Sequence, residues 1–191
     1  GNAGIVTATS FSGSGANLTG ISITSDSNGN TAAGTNAGDS ITTGDRNTTF
    51  GQDAGTGLTS GSDNIAFGYE ALKNLDFGDK NIVMGYRAAD ALATNSNANI
   101  FIGYEAGGGI TNNVNQNIGI GFNALKGTGS CGAFNVVIGS GAGQEITDGQ
   151  NVVIGGNAAE SSLQHGANNI IIGYEASSTS GTTDNEITLG N

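Results

Sequence analysis

The sequence predicts an all-β chain, a parallel β-roll or β-solenoid of about nine coils of 16–18 residues, behind a short N-terminal segment. Three periodic marks carry that reading. The first is Asn-x-x-φ-Gly, with φ usually apolar. Its asparagines are Asn30, Asn47, Asn64, Asn81, Asn99, Asn117, Asn135, Asn151 and Asn169, and its glycines Gly34, Gly51, Gly68, Gly85, Gly103, Gly121, Gly139, Gly155 and Gly173. A looser tenth copy runs from Asn185 to Gly190. The second mark is an alanine seven residues after each asparagine: Ala37, Ala54, Ala71, Ala88, Ala106, Ala124, Ala142, Ala158 and Ala176. The third is Ile or Leu eleven residues on, at Ile41, Leu58, Leu75, Leu92, Ile110 and Ile146, with Leu163 one place later. The units that begin at Asn117 and Asn169 lack it.

Each unit holds a β-branched run of four or five residues, a glycine turn, a small residue, a second apolar position and another turn. It is too short for a strand–helix–strand unit and has no helical period. The expectation is a coil with two strands. One coil cannot bury its apolar side alone, so coils stack and bury each other. The glycine supplies a corner of positive φ or close approach. Asparagine suits the opposite corner, because it tolerates the left-handed conformation and bonds its own backbone. Stacked asparagines can also form amide ladders along the axis. Both columns read as structural.

Residues 1–29 break the pattern and read as a shaft or connector, with residues 30–191 as the repeat domain. Ile5–Phe11 and Ile21–Thr24 are strand-like pieces separated by Gly13-Ser-Gly-Ala16. Gly1 in place of Met predicts a processed chain or a segment of a longer one.

Composition excludes several functions. Glycine supplies 35 of 191 residues, and Ile, Val, Leu and Phe together only 40, so a conventional globular core is not expected. Sixteen acids against five bases leave a net charge of −11, which argues against neutralising nucleic-acid phosphates. No apolar run approaches the ~18 residues of a membrane helix, so membrane insertion is not expected. The single cysteine, Cys131, excludes a disulfide scaffold and reads as a filler thiol. His165, the only histidine, lies in the irregular return Ser161–Ala167 and reads as a surface residue, without the oriented nucleophile that covalent catalysis needs. No metal or cofactor is expected, and catalysis is not expected either.

Two columns beside the corner glycine bear on function. Six residues after the asparagine stand Asp53, Glu70, Arg87 and Glu105, of which Glu70, Arg87 and Glu105 alternate in charge on successive coils and predict a salt ladder. Five residues after it stand Tyr69, Tyr86, Tyr104 and Phe122, then Tyr174. Aromatic faces in a row can stack on sugar rings or pack between subunits, and packing is favoured. The residues two after the asparagine (Val83, Phe101, Val137, Val153, Ile171) face opposite their neighbours, so both strand faces call for burial. One chain covers only one of them, which predicts an oligomer.

The unit Asn-x-φ-x-φ-Gly-x-x-Ala resembles the head repeat of trimeric autotransporter adhesins, which are left-handed parallel β-rolls associated as trimers. The fuller Asn64–Leu72 is similar to repeats in the tail fibres of tailed bacteriophages. Gly4–Gly13 and Gly15–Gly20 resemble shaft segments of marine, cyanophage-type fibres. Asn185–Asn191 resembles the segment that precedes a C-terminal intramolecular chaperone, which cuts itself off ahead of a serine after trimerisation. The units are longer than is usual in the autotransporter heads, so handedness stays open.

The resemblance implies a homotrimeric, distal tail-fibre segment in the virion tail. Its partners would be copies of itself, other tail proteins and a bacterial surface glycan or protein, bound non-covalently. Contact candidates are the aromatic column and Ser177, Ser178, Thr179, Thr182 and Thr183 in the last irregular return. A bacterial trimeric adhesin head or extracellular filament at the cell surface is the alternative, and a polysaccharide-cleaving tailspike a third.

Overall fold

A computed structural model describes residues 23–92, 94–127, 129–160, 163 and 165–190. The strand-like Ile5–Phe11, the shaft-like Gly4–Gly13 and Gly15–Gly20, and terminal Asn191 lie outside the described residues. Eleven strands of three residues form one sheet in chain order: β1 (Ile23–Ser25), β2 (Thr31–Ala33), β3 (Thr48–Phe50), β4 (Ile65–Phe67), β5 (Ile82–Met84), β6 (Ile100–Ile102), β7 (Ile118–Ile120), β8 (Val136–Ile138), β9 (Val152–Ile154), β10 (Ile170–Ile172) and β11 (Ile187–Leu189). From β2 to β11 every pairing is parallel and in register, residue for equivalent residue. The ten parallel strands make a β-solenoid of about nine turns. Among the described residues there is no helix. β1, from the segment read as connector, pairs antiparallel on the edge of β2 and covers it.

The expectation of two strands per coil is corrected. Among the described residues each coil has one short strand, and its return is built of turns, with isolated bridges at Asn97↔Asn115 and Ile110↔Gly129. A lone apolar residue between glycines and polar residues has no alternation to sustain a strand. It enters the core from a turn instead. Leu58, Leu75, Leu92, Ile110, Ile146 and Leu163 are all buried this way. In the unit from Asn117, Cys131 fills that part of the core.

Hydrogen bonds between coils continue past the strands. Ile82 N–H donates forward to Asn99 C=O, and Gly85 N–H and Arg87 N–H donate back to Phe67 and Tyr69 C=O, each at 2.8 Å. This continuity holds a strained backbone. Among the described residues twenty-two non-glycine residues adopt positive φ, all but Asn95 in columns six and eight residues after the ladder position and one before it. Arg46, Asp63, Lys80, Ala98, Gln116, Phe134, Gln150 and Asn168 occupy the last of these, so the left-handed corner expected at the asparagine belongs to its predecessor. Such conformations cost L-residues roughly 1–2 kcal/mol each, and stacking offsets that cost.

The asparagines are buried and form a continuous amide ladder. Each Oδ1 accepts the backbone N–H of the next asparagine at 2.7–3.0 Å. Most Nδ2 groups donate to the preceding Oδ1 as well, and to a carbonyl of their own coil's return. Asp26 starts the ladder by accepting Asn30 N–H and Nδ2. At the other end, Glu186 N–H donates to Asn169 Oδ1 at 2.8 Å. The tenth copy is thus corrected by one residue: Glu186 takes the ladder position, and Asn185 is the left-handed residue before it.

The core fits by paired sizes. The inward strand residue meets the left-handed residue six places later, and their volumes trade off. Ala66 faces Leu72 and Gly119 faces Leu125, whereas Val83 and Val153 go with Ala89 and Ala159. Phe101 goes with Gly107, where a Cβ would lie 2.6 Å from the ring. Dense interiors tolerate neither a gap nor an excess methylene, so the coils share one width.

Candidate functional site

The corner glycines fix where the outer side chains stand. Each forces the next residue out of the strand plane, so Tyr69, Tyr86, Tyr104 and Phe122 emerge on consecutive coils. Their rings stack at centroid distances of 5.2, 5.0 and 5.1 Å, with interplanar angles of 8–15°. The spacing is that of the coils. Each inner ring therefore turns both faces to its neighbours, and its edge to solvent. The row is not the run of open platforms that stacking on successive sugars needs. Tyr174 stands three coils beyond Phe122, past Ser140 and Gly156, and its ring lies against Gly156.

A second stack, Phe50 on Phe67 at 5.0 Å, lies on the outward strand face. With Ile65, Met84, Ile138, Ile170 and Ile172 it forms an apolar face whose residues are 37–47% exposed, rising to 71% at Leu189. The inward strand residues are fully buried from Ala66 to Ile171. The chain covers one strand face and leaves the other open, as the sequence pattern requires.

The charge column is only partly a ladder. Arg87 Nε lies 3.3 Å from Glu70 Oε2, but its Nη2 lies 2.8 Å from Asp90 Oδ2. Glu105 turns to Lys126 instead of Arg87, and that ammonium holds its carboxyl below the ordinary value. Lys73 pairs with Glu70 at 2.6 Å. The alternation fails because Glu70 and Arg87 also pair with Lys73 and Asp90 of their own returns, while Glu105 pairs with Lys126 of the next coil's return. The carboxylates beside them raise the Tyr69 and Tyr104 phenols, Glu70 acting on the first and Glu105 on the second.

In the last return, Ser177 is exposed while Ser178 is buried, its hydroxyl donating to Ser180 C=O at 3.0 Å. Burial withdraws Ser178 from the contact candidates. Thr179 N–H donates to both Glu186 carboxylate oxygens, its hydroxyl meets Thr183 at 3.2 Å, and Thr182 is exposed. His165 Nδ1 lies 2.8 Å from Thr147 Oγ1. Ser161, Ser162 and Gln164 of that return lie outside the described residues. Among the described residues no group of three or more His, Cys, Asp or Glu is placed to hold a metal, and no helix could cross a membrane.

Cys131 is fully buried, and burial pushes its thiol up to about 12. A thiol reagent at pH 8 is expected to label the folded chain at least roughly a hundredfold slower than the unfolded one, because the thiolate is the nucleophile. Equal labelling rates would contradict this burial.

Two of the cavities among the described residues bear on the site. One, of about 350 Å³, lies at the first coil, against the small Ala32 and Gly38. The other, of about 310 Å³, opens beside the aromatic row between Arg87, Asp90, Ala91, Glu105 and Lys126, over Gly108 and Gly109. The sequence reading missed Asp90, Lys126 and the two glycines. Asp90, Gly108 and Lys126 share a column, nine residues after Asn81, Asn99 and Asn117, but a column of unlike residues with a glycine in its midst carries no periodic mark.

The fold defines the chain as a β-solenoid with one strand per coil and a lateral apolar face. No protein-family model, curated protein or solved structure matches it.

Proposed function

We propose that the chain is the distal, receptor-facing segment of a homotrimeric phage tail fibre, which attaches without covalent chemistry to a polymer on the bacterial surface. The observation that carries this reading is the half-exposed apolar face from Phe50 to Leu189, parallel to the solenoid axis. Such a face fits self-association along the whole length of a fibre, and identical copies give closed symmetry. Ladders of amides, rings and glycines supply stiffness along that axis. The resemblance to tail-fibre and adhesin-head repeats supplies the three-fold state and the location in the virion tail. Three parallel copies would present each lateral feature three times, so weak single contacts would add up through avidity.

The test joins assembly to adhesion. Sedimentation equilibrium is expected to give three times the chain mass, and the trimer is expected to adsorb to intact cells of susceptible strains and not of resistant ones. A monomer, or equal adsorption to both, would sink the reading.

A further inference from the structure

We propose that the cavity over Gly108 and Gly109 is a subsite for a neutral, hydroxyl-rich sugar residue of the surface polymer. The proposal rests on the adhesion reading and deepens it. The cavity is built into the backbone. Gly109 has φ +79°, and a Cβ there would lie 2.3 Å from Gly127 C=O. At Gly108 a Cβ would lie 3.0 Å from Glu105 C=O. Where coils on either side carry Asp90-Ala91 and Lys126, this coil presents bare main chain, and a dip results. At about 310 Å³ it sits at the low end of small-molecule sites, room for one or two sugar rings.

The lining selects the chemistry. Ala91 is the one apolar side chain; around it stand two cations and two carboxylates in alternation. Arg87 and Asp90 hold each other through Asp90 Oδ2, with contacts of 2.8 and 2.9 Å, which leaves Oδ1 to accept a hydroxyl. Lys126 and Glu105 hold each other across the next rung. Asp90 and Glu105 side chains are only 14% and 18% exposed, so the ion pairs are fixed before a ligand arrives. Fixed donors and acceptors in alternation match vicinal hydroxyls, each of which donates and accepts. An anionic sugar would meet Asp90 and Glu105 at contact and a chain of net charge −11 beyond them. A cationic one would meet Arg87 and Lys126. The neutral polyol is the ligand that leaves every group satisfied. Tyr86 and Tyr104, next to Arg87 and Glu105 in the chain, offer ring edges at the rim.

The probes are neutral hexose oligomers (α- and β-glucans, galactans and mannans) and oligogalacturonate as the acidic counterpart, titrated against the assembled protein at low and high salt. At least one neutral oligomer is expected to bind, with little salt dependence. Ala91→Trp, which fills the dip, and Asp90→Ala, which removes the acceptor, are each expected to weaken it roughly tenfold or more. Far-UV circular dichroism and an unchanged trimer mass would show both variants intact. If a variant fails to fold, amide shift changes in the isotope-labelled parent protein on titration of the oligomer, expected at Ala91, Gly108 and Gly109, replace it. Three results would overturn the proposal: no neutral oligomer bound, oligogalacturonate bound more tightly with steep salt dependence, or Ala91→Trp binding as tightly as the parent. The adhesion reading fails separately. A protein that adsorbs to cells with no neutral oligomer competing keeps adhesion and loses the subsite. One that binds an oligomer through the dip yet adsorbs to no cell keeps the subsite and loses adhesion.

Discussion

Gly103→Ala is expected to split the solenoid. The glycine has φ +134°, and an added Cβ would lie 2.3 Å from the Gly121 carbonyl oxygen and 2.7 Å from its carbon. Neither can yield, because Gly103 N–H and Gly121 N–H are bonded at 2.8 Å to Met84 and Ile102 C=O, which sets the coil spacing on both sides. Strain at such a φ costs of order 1–3 kcal/mol. Separation of two coils adds the loss of neighbouring hydrogen bonds, so we expect at least ~4 kcal/mol, a large share of the 5–15 kcal/mol that holds a typical domain. Gly129→Ala separates the two contributions. That residue has φ +142° with nothing within 4 Å of a Cβ, so it reports strain alone. Hydrogen exchange is the measurement: protection should collapse first at the coils either side of Gly103. A Gly103→Ala melt indistinguishable from that of Gly129→Ala would refute the packing argument. The same contact recurs at Gly51, Gly68, Gly85, Gly121, Gly139 and Gly155, with a Cβ 2.1–2.6 Å from the next coil's carbonyl, and this is why the glycine column never lapses.

That column, with the asparagines and alanines, made the fold legible. Each is a position that stacking restricts, the glycine by close backbone approach and the asparagine by its amide hydrogen bonds, so the coil repeat is printed in the sequence. The corners at Leu72, Ala89, Arg87 and Leu125 were not legible, because their left-handed backbone is imposed from outside by hydrogen bonds to adjacent coils. Leucine gives no local sign of it. The second strand was expected because an apolar residue at a fixed place looks like a strand when its neighbours are ignored. The paired sizes in the core were present in the sequence as Ala66 with Leu72 and Phe101 with Gly107, but they mean nothing until the inward direction of each is known. Of the candidate site, the aromatic column was legible as a column. Its mutual stacking follows from the coil spacing, yet it reverses the inference, since rings that face one another offer a partner their edges. The dip over Gly108 went unread although Asp90, Gly108 and Lys126 stand in one column, because its walls come from three coils and its floor is an absence of side chains.

Asn99 carries the other large effect, and its two substitutions should part company with pH. Its Nδ2 donates to Asn81 Oδ1 at 3.0 Å and to Val114 C=O at 2.9 Å, and its Oδ1 accepts Asn117 N–H at 3.0 Å and Asn117 Nδ2 at 3.3 Å. Asn99→Leu keeps the volume but orphans the buried Asn117 N–H and leaves the Val114 carbonyl with the Asn97 N–H, at 3.2 Å, to accept. At about 1–3 kcal/mol for the unsatisfied N–H and about 0.5–1.5 kcal/mol for the lost carbonyl bond, the expected loss is roughly 2–4 kcal/mol, independent of pH. Asn99→Asp keeps the acceptor and turns the donor into a second acceptor, aimed at two oxygens in a fully buried site. Ionised, it is a buried charge without a cation and should cost more than the leucine. Protonated, its O–H can donate to Val114 or Asn81 and restore part of the ladder. Burial raises the folded-state pKa of the new carboxyl above its unfolded value of about 3.9, so the folded form binds the proton more tightly. The stability lost relative to the parent should therefore shrink as pH falls through the folded pKa, and grow as pH rises through it. Denaturant melts of the two variants between acid and neutral pH decide the matter. If the Asp variant tracks the Leu variant at every pH, the ladder amide is filling space, and the directional hydrogen bonds assigned to it contribute nothing.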